Sequence, residues 1–410
     1  MLNKLWLWFF VITFISACYQ WLIGGDVLVF ERIVSAVFAM STTSVNIAIG
    51  LVGALSFWLG MLKVAEKAGM VEKLAWTLAP LFKRLMPDVP PNHPALGSIT
   101  LNLSANMLGL DNAATPMGIR AMKDLQTLNS ADPTTASNAQ ILFLVLNTSS
   151  VTLFPIAVFV YRAQQGAAQA TDVFIPILLA TAASTFVGLL AVSWVQRLRL
   201  YDWVTFGYFS LFFGLVGGLI TYLAALTTTQ LSQQSALISN ALILSFIVLC
   251  LVIADLKKVN VYETFVDGAK EGFGLSISLI PYLLAMLVAI AALRASGVLG
   301  MVVDGITVVV AAIGFDTGFV DALPTALMKP FSGSGARAMM IETMNTHGAD
   351  SFVGRVASTI QGSTETTFYV IAVYFGAVGI KHTRHAIPCG LIADLAGIVT
   401  AIGVCYWFFS

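Results

Sequence analysis

The chain has 410 residues, of which 58% are hydrophobic and only 10% are charged. Soluble globular domains are about 25% charged, so this composition excludes an ordinary soluble domain and predicts an all-α polytopic membrane protein. The formal net charge is zero, so no broad basic face points to nucleic acid as a partner. The four cysteines are scattered through apolar runs without metal-site spacing, and we expect neither a metal nor an organic cofactor.

Apolar segments, taken in chain order, predict about nine transmembrane helices, since one span needs about 20 residues. The predicted spans cover residues 5–24, 46–66, 136–162, 173–194, 201–222, 237–255, 274–294, 353–377 and 386–406. Residues 1–22 also imitate a signal peptide, but no clear cleavage site precedes a polar region, so they are predicted to form the first span.

Several segments between the spans have other characters. Residues 94–122 and 323–344 are only moderately apolar and are interrupted by glycine, proline and serine. Each is predicted to be a re-entrant hairpin, which protein or a water-filled cavity must surround at membrane depth. Residues 71–86 and 300–310 are amphipathic and are predicted to lie along the interfaces. Residues 227–236 carry no charge and are predicted to form a polar turn.

The chain contains an internal repeat. Residues 147–154, NTSSVTLF, match residues 362–369, GSTETTFY, at a distance of 215 residues, and each copy places a hydroxyl cluster inside an apolar run. Other matches keep the same order while their distance falls from 232 to 212 residues: 29–34 with 261–266, 68–71 with 296–299, 118–122 with 335–339, and 175–176 with 387–388. The repeat predicts halves at 1–199 and 236–410, joined by a linking helix and turn at 200–235.

The placement of positive charge predicts a topology, because positively charged short loops tend to stay cytoplasmic. The cations concerned are Lys63, Lys67, Lys73, Lys83, Arg84, Arg197, Arg199, Lys257, Lys258, Lys381 and Arg384. They favour a multi-pass protein of the cytoplasmic (inner) membrane with its N-terminus inside and its C-terminus outside. The unmatched span at 201–222 makes the two copies antiparallel, which predicts the inverted-topology repeat of many secondary transporters.

Both predicted hairpins have small polar tips, beyond which a helix is expected to start, with Pro116 near the first turn of one. Helix starts expose unpaired N–H groups and partial positive charge, so they suit a carboxylate or phosphate. Arg120 and Arg337 follow about one turn further in, and the alternative for both is that they snorkel to an interface. The substrate-binding candidates at the tips are Ser104, Asn106, Asn112, Thr115, Ser332, Ser334 and Arg337.

The hydroxyl clusters predict that the spans at 136–162 and 353–377 are broken. Such hydroxyls can instead bond back to the preceding turn and only bend a helix. Their recurrence at matching places in two halves favours unwinding and contact with a ligand. The substrate-binding candidates in these spans are Asn147, Thr148, Ser149, Gln361, Ser363, Thr364 and Thr367.

Glu365 is the strongest candidate for ion coupling. The first copy has Ser150 at the matching position, so the repeated architecture does not require a carboxylate there. An ionisable residue at membrane depth is costly and is by default a functional candidate. It could carry a coupling proton, bind a cation or meet a substrate amine, and the alternative is an internal salt bridge, for example with Arg337. Asp111 and Asp394 are further ion-coupling candidates, although Asp394 could equally be a structural hydrogen-bond partner.

The same motifs carry a resemblance to a known family. Residues 102–122 resemble spore maturation protein A. Residues 324–399, above all FSGSGAR at 331–337 and QGSTETT at 361–367, resemble spore maturation protein B. The chain thus resembles a fusion of the two over nearly its full length.

Each half also resembles the nucleoside recognition or gate domain, which occurs in concentrative nucleoside transporters and in the membrane part of ferrous iron transporters. In the nucleoside transporters, paired re-entrant hairpins and unwound helices form the substrate and sodium sites. The resemblance implies similar roles for the hairpin tips and broken spans of this chain. It does not carry over the nucleoside, because no residue pattern here identifies a pocket for a base or a ribose.

The leading hypothesis is a secondary active transporter of a small polar solute, anionic or zwitterionic and including nucleoside-like compounds, coupled to Na⁺ or H⁺. Its expected partners are that solute and membrane lipid, and a homo-oligomer is left open. The alternative is a non-transporting scaffold in envelope or spore assembly. No enzyme is expected, because the four histidines lie in predicted loops or at a hairpin edge: His93, His347, His382 and His385.

Overall fold

The structure, a computed structural model, describes residues 2–109, 111–129, 132–198 and 200–410, which are helical over most of their length. In chain order the helices of these ranges are α1 (Leu2–Leu22), α2 (Val29–Lys67), α3 (Met70–Leu85), α4 (Pro94–Met107), α5 (Asp111–Gln126), α6 (Asn138–Thr148), α7 (Ile156–Gln164), α8 (Phe174–Gln196), α9 (Trp203–Ala224), α10 (Thr228–Leu256), α11 (Val261–Ala295), α12 (Val298–Ala312), α13 (Leu323–Met328), α14 (Gly333–His347), α15 (Phe352–Ser363), α16 (Thr367–Gly376) and α17 (Ala386–Phe409). A single 3-10 turn, Val320–Ala322, precedes α13 in the described chain.

Seven of the described helices, α1, α2, α8, α9, α10, α11 and α17, are long and apolar enough to cross a membrane. The chain is therefore a multi-pass helical membrane protein. The two other predicted spans, 136–162 and 353–377, are each divided into two shorter helices. The first becomes α6 and α7, and the second becomes α15 and α16.

Two compact units make up the chain, and each is formed from separated segments. The first consists of Met1–Gly60, Ala157–Ala170 and Phe265–Gln361. Its helices α2 and α11 pack closely because Gly272 has no side chain: a Cβ there would lie 2.6 Å from the Cα of Ser56. Helix α1 is tied to α11 and the turn after it by side-chain donors, among them Gln20 Nε2, which lies 2.7 Å from the carbonyl oxygen of Ser296.

The second unit consists of Met61–Ile156, Thr171–Thr264 and Gly362–Ser410. Helices α8 and α17 pack along each other in it, and Ser184 of α8 donates to the carbonyl of Ala393 at 2.9 Å. A large apolar core joins α3, α4, α5, α6, α8 and α16. It includes the stacked rings of Phe143 and Tyr374, whose centroids lie 5.7 Å apart.

Each unit holds one pair of packed helices from a predicted hairpin together with two half-spans. The second unit has α4 and α5 with α6 and α16, and the first has α13 and α14 with α7 and α15. Each divided span therefore contributes one half to each unit. The division of the sequence into repeats at 1–199 and 236–410, with a link at 200–235, stays a prediction.

Two local predictions are wrong. Residues 227–236 form no turn: α10 begins at Thr228, because Thr227 and Gln230 make a reciprocal capping box that starts the helix early. Pro116 does not lie in the first turn of its helix, since α5 already begins at Asp111 and contains the proline. There it removes one backbone hydrogen bond from the helix interior. The amphipathic segments do form helices, α3 and α12.

Candidate functional site

The first divided span stops at a cluster of side chains that bond to its own last turn. Asn147 Nδ2 donates to the carbonyl of Phe143 at 2.8 Å, and Ser149 Oγ donates to that of Val145 at 2.8 Å. Back-bonding of this kind competes with the helix ladder. Pro155 then follows before α7 begins at Ile156. The hydroxyl cluster therefore ends the helix rather than only bending it.

The tip of the first hairpin is held against this break. Asn106 Nδ2 donates to Asn147 Oδ1 at 2.7 Å, and the same oxygen lies 3.4 Å from the hydroxyl of Tyr374 on α16. The backbone N–H of Leu153 donates to the carbonyl of Met107 at 2.8 Å. Two of the predicted site residues, Asn106 and Asn147, are thus direct partners.

The second break joins the first in the same unit. After α15 ends at Ser363, the backbone N–H of Glu365 donates to the carbonyl of Thr148 at 2.8 Å. Two residues later, Thr367 Oγ1 donates to Asp394 Oδ2 of α17 at 2.7 Å. Asp394 is only 1% exposed. The second break is therefore bonded to the first break through its backbone and to α17 through this buried carboxylate.

Two glycines of α17 make the close approach possible. A Cβ on Gly390 would lie 2.8 Å from Cγ2 of Thr367, and one on Gly397 would lie 2.6 Å from Cγ2 of Thr364. Real Cβ atoms are essentially never found this close to other heavy atoms. The helix can therefore approach the second break closely at these two positions.

Some buried polar atoms near these breaks are unsatisfied. Asn102 Oδ1, Ser104 Oγ and Thr364 Oγ1 have no hydrogen-bond partner within the described part of the chain. Each residue is at most 4% exposed. An unsatisfied buried polar group costs about 1–3 kcal/mol, so such groups in native proteins call for a water, an ion or a ligand.

In the first unit, the second hairpin begins its outgoing helix as predicted from its polar tip. Helix α14 starts at Gly333, and Ser332 caps it by accepting from the N–H of Gly335 at 3.0 Å. Ser334 Oγ lies 3.2 Å from Ser332 Oγ. The hydroxyl of Ser332 is therefore used as the N-cap of α14.

Lys329, at the tip of this hairpin, did not emerge from the sequence as a candidate. Its side chain is 3% exposed, and its ammonium donates to the carbonyl of Gln361 near the end of α15 at 2.7 Å. A buried ammonium at the end of a helix complements the partial negative charge there. The sequence signal that could have identified Lys329 was its position in a predicted hairpin, because a lysine buried there must have a partner.

Arg337 lies over an aromatic ring of the first unit. Its guanidinium carbon is 5.3 Å from the ring centroid of Tyr161 on α7, a cation–π contact. Arg337 is half-buried. Tyr161 was missed because an aromatic residue in an apolar run carries no distinct signal.

The predicted residues are distributed over both units. The second unit contains Ser104, Asn106, Thr115, Asn147, Thr148, Ser149, Ser363, Thr364, Glu365, Thr367 and Asp394. The first contains Ser332, Ser334, Arg337 and Gln361. The side chains of Asp111 and Asn112 lie outside the described residues. Glu365 is exposed, whereas its break-region neighbours are mostly buried.

An apolar cavity of about 350 Å³ opens beside the first break in the second unit. Its wall comes from α3, α4, α6, α8, α9 and the break itself, and it is polar only at Ser150, Thr185 and Tyr208. Thr185 donates to the carbonyl of Ser149. The polar break therefore borders an apolar space.

Comparison with known proteins places these elements in a family. The model of the gate family, described as nucleoside recognition, matches residues 48–164 and 276–381. The chain belongs to the nucleoside recognition family. Both matched stretches contain a predicted hairpin and a divided span, whereas α8 and α17 lie outside them.

Two curated proteins of Bacillus subtilis (strain 168) are similar to this member of the family. Spore maturation protein B is 46% identical over 165 residues, which is 40% of this chain and 91% of that protein. Spore maturation protein A is 42% identical over 149 residues, which is 36% of this chain and 76% of that protein. No solved structure matches the chain.

Proposed function

We propose that the protein is a secondary active transporter of a small polar solute, anionic or zwitterionic and including nucleoside-like compounds, and not an enzyme. The observation that supports this most is the meeting of both helix breaks in one unit, at the Glu365–Thr148 and Thr367–Asp394 hydrogen bonds. Discontinuous helices at corresponding places in two halves are typical of transport sites.

The proposed solute groups follow from the unsatisfied atoms. Ser104 Oγ and Thr364 Oγ1 are buried hydroxyls without a partner in the described chain, and each can donate to a carboxylate or hydroxyl oxygen. Considered within the first unit alone, the start of α14 and the guanidinium of Arg337 supply positive charge that suits an anionic group. The apolar cavity beside Ser150 favours a solute that also has an apolar part.

The coupling ion is proposed to be H⁺ or Na⁺, with the carboxylates in different roles. Asp394 is buried and bonded to the second break, whereas Glu365 is exposed. A buried carboxylate that accepts from Thr367 suits a step that takes up a cation with the solute. The exposed Glu365 suits the first capture of that cation, and Asp111 stays a further candidate.

The proposed topology is the inverted repeat predicted above, with the hairpins re-entrant, the N-terminus inside and the C-terminus outside the cytoplasmic membrane. Single cysteines introduced at 26 and at 410, in a variant without native cysteines, test the ends of α1 and α17. Labelling of both by a membrane-impermeant maleimide in intact cells is expected. Protection of either would contradict this topology.

The proposed activity is tested with the purified full-length protein in liposomes. Uptake of labelled nucleosides, amino acids and carboxylates is measured with an inward H⁺ or Na⁺ gradient and without one. We expect gradient-dependent uptake of at least one solute, reduced affinity in Arg337→Ala and altered ion dependence in Glu365→Gln. Arg84→Ala and Glu31→Gln remove exposed charges elsewhere and are the matched controls. Unchanged uptake by both site variants would refute the residue assignment.

The second candidate is a non-transporting scaffold, and the observation that favours it is the similarity to two proteins named for spore maturation. A scaffold would use the polar breaks for contacts within or between proteins. A melting screen with metabolites and ions in detergent separates the two. Stabilisation by a solute that the liposomes also take up supports the transporter, and absence of any stabilising compound supports the scaffold.

A further inference from the structure

A second cavity, of about 320 Å³, lies wholly within the first unit and has a mixed polar and apolar lining. It is formed where α11 ends, α12 begins and α14 ends, beside the 3-10 turn. Its volume falls at the low end of the range of small-molecule sites. None of the residues proposed above for transport lines it.

One carboxylate of this cavity is buried and only half satisfied. Glu342 is 5% exposed, and its Oε1 lies 3.2 Å from Nε of Arg294. Its other oxygen, Oε2, has no hydrogen-bond partner in the part of the chain that the structure describes. A buried carboxylate oxygen without a donor is costly, so a donor that enters the cavity would be bound there favourably.

The arginine is already engaged. Arg294 pairs with Glu342 through Nε, and its Nη1 donates to the hydroxyl of Thr346. Thr346 in turn donates to the backbone carbonyl of Glu342 at 3.0 Å. These contacts hold Glu342 from one side, and Oε2 remains an acceptor without a donor in the described part of the chain.

The remaining charges of the wall are acidic. Asp304 and Asp321 line the cavity and are exposed, so with Glu342 they outnumber the single guanidinium of Arg294. Leu299, Val303, Pro324 and Met339 form the apolar part of the lining. The cavity therefore offers a buried acceptor, an apolar wall and an acidic rim.

We propose that this cavity binds a small organic cation: a primary ammonium on a short carbon chain. An ammonium has three donors and no acceptor, which matches the unsatisfied oxygen of Glu342. The carbon chain packs on the apolar wall. A second ammonium, where the ligand has one, meets Asp304 and Asp321. Free diamines and the ethanolamine headgroup of a lipid share this chemistry.

The test uses the purified full-length protein in detergent and 1,4-diaminobutane as the probe. We expect a saturable rise in melting temperature and a binding isotherm, because a ligand that binds only the folded state stabilises it. The uncharged 1,4-butanediol and sodium chloride at equal ionic strength are expected to give neither. An equal effect of the diol or of the salt would overturn the proposal.

Variants locate the site. Glu342→Gln keeps the shape and removes the charge, and we expect at least a tenfold weaker binding of the diamine, equal to about 1.4 kcal/mol. Because this change also leaves Arg294 without its carboxylate, Asp304→Asn with Asp321→Asn provides a second test on exposed residues. Asp267→Asn removes an exposed carboxylate of the same unit and is the control. Binding that is unchanged in both site variants would overturn the proposal.

A lipid arm distinguishes the two sources of the ammonium. The protein is placed in nanodiscs of phosphatidylcholine with and without phosphatidylethanolamine, and diamine binding is measured again. Weaker diamine binding in the presence of the ethanolamine lipid supports a lipid headgroup in the site, and equal binding supports a free amine. Magnesium chloride is the final comparison, and stabilisation by Mg²⁺ that matches the diamine and is lost in the site variants would overturn the proposal, because the cavity would then bind a metal cation equally well.

Discussion

The backbone N–H of Glu365 donates a hydrogen bond to the carbonyl oxygen of Thr148 at 2.8 Å. Thr148 is the last residue of α6, and Glu365 stands between α15 and α16. The second break thus supplies the donor, the N–H of Glu365, which lies outside both neighbouring helices. The first break supplies the acceptor, because the carbonyl of Thr148 is left without a partner inside α6 where that helix ends. This backbone hydrogen bond joins the two interrupted spans.

This pairing predicts that the N–H of Glu365 matters more for stability than its side chain. Glu365→Ala keeps the N–H and is expected to melt close to the wild type, since the side chain is exposed. Glu365→Pro removes the donor and leaves the buried carbonyl of Thr148 without it, which costs about 1–3 kcal/mol. Melting of both variants in detergent checks this. Equal destabilisation by alanine would show that the backbone bond is not the decisive contact.

The close approach of α17 to the second break predicts a specific rescue. Gly390→Ala places a methyl group 2.8 Å from Cγ2 of Thr367, and such overpacking costs about 1–3 kcal/mol. Thr367→Ser removes that methyl group and keeps the hydroxyl that donates to Asp394. The double variant is therefore expected to regain much of the melting temperature lost by Gly390→Ala alone.

Gly403→Ala, on the same helix, is the control for this series. Nothing lies within 4 Å of a Cβ at that position, so alanine is expected to be neutral or to stabilise the helix by up to about 1 kcal/mol. A double variant that melts no higher than Gly390→Ala would show that the glycine serves something other than contact with Thr367.

The interruptions of the two spans are predictable from the sequence, because hydroxyl and amide side chains stand out in apolar runs. Helix α6 ends at Thr148 and α15 at Ser363, within the matched segments. The partners of these side chains are not predictable. Thr367 bonds to Asp394, which is 27 residues away in the sequence, and Asn147 bonds to Tyr374, which is 227 residues away. Composition and periodicity describe one segment at a time and carry no information on such pairs.

Arg162 illustrates the same limit in the first unit. By sequence it borders a loop, yet it is 0% exposed and reaches the carbonyl of Ala349 at 2.7 Å and Asp350 Oδ1 at 3.2 Å. It also donates to the carbonyl of Ala170 at 3.2 Å. Its acceptors are largely backbone groups of two loops, which have no signature in the sequence. The arginine thus ties the loop after α7 to the loop before α15.

Replacement of this arginine is expected to be strongly destabilising. Arg162→Ala leaves several acceptors without a donor, and each of them that is buried costs about 1–3 kcal/mol. Arg162→Lys is expected to recover only part of this, because an ammonium cannot reproduce the planar fork of donors. Asp350→Asn is expected to cost less, since Asp350 is 36% exposed. We expect the lowest melting temperature for Arg162→Ala, a higher one for Arg162→Lys and the highest for Asp350→Asn. Equal melting temperatures for all three variants would contradict this.

The N-cap residue of α17 predicts a dependence of stability on pH. Burial, with a smaller contribution from the positive charge of Arg384, lowers the pKa of His385 below its usual value of 6.5. Its Nε2 lies 2.9 Å from Nε2 of Gln196, and the neutral ring can accept there. Between the usual pKa and the lowered one, the unfolded chain binds more protons than the folded chain. Stability therefore rises with pH in this window: the contribution of His385 is complete above pH 6.5 and is lost as the pH falls below it.

The variant His385→Gln is expected to remove this part of the pH dependence, because glutamine does not titrate and can still bond to Gln196. Melting temperatures are measured between about pH 7.5 and pH 5 in one detergent, around the reference pKa of histidine. His382→Gln, an exposed neighbour, is the control and should keep the wild-type slope. If the wild type and His385→Gln lose the same number of degrees on acidification, other groups cause the loss. A steeper loss in His385→Gln would mean that protonation of His385 stabilises the fold, which is the opposite of the sign derived from its burial.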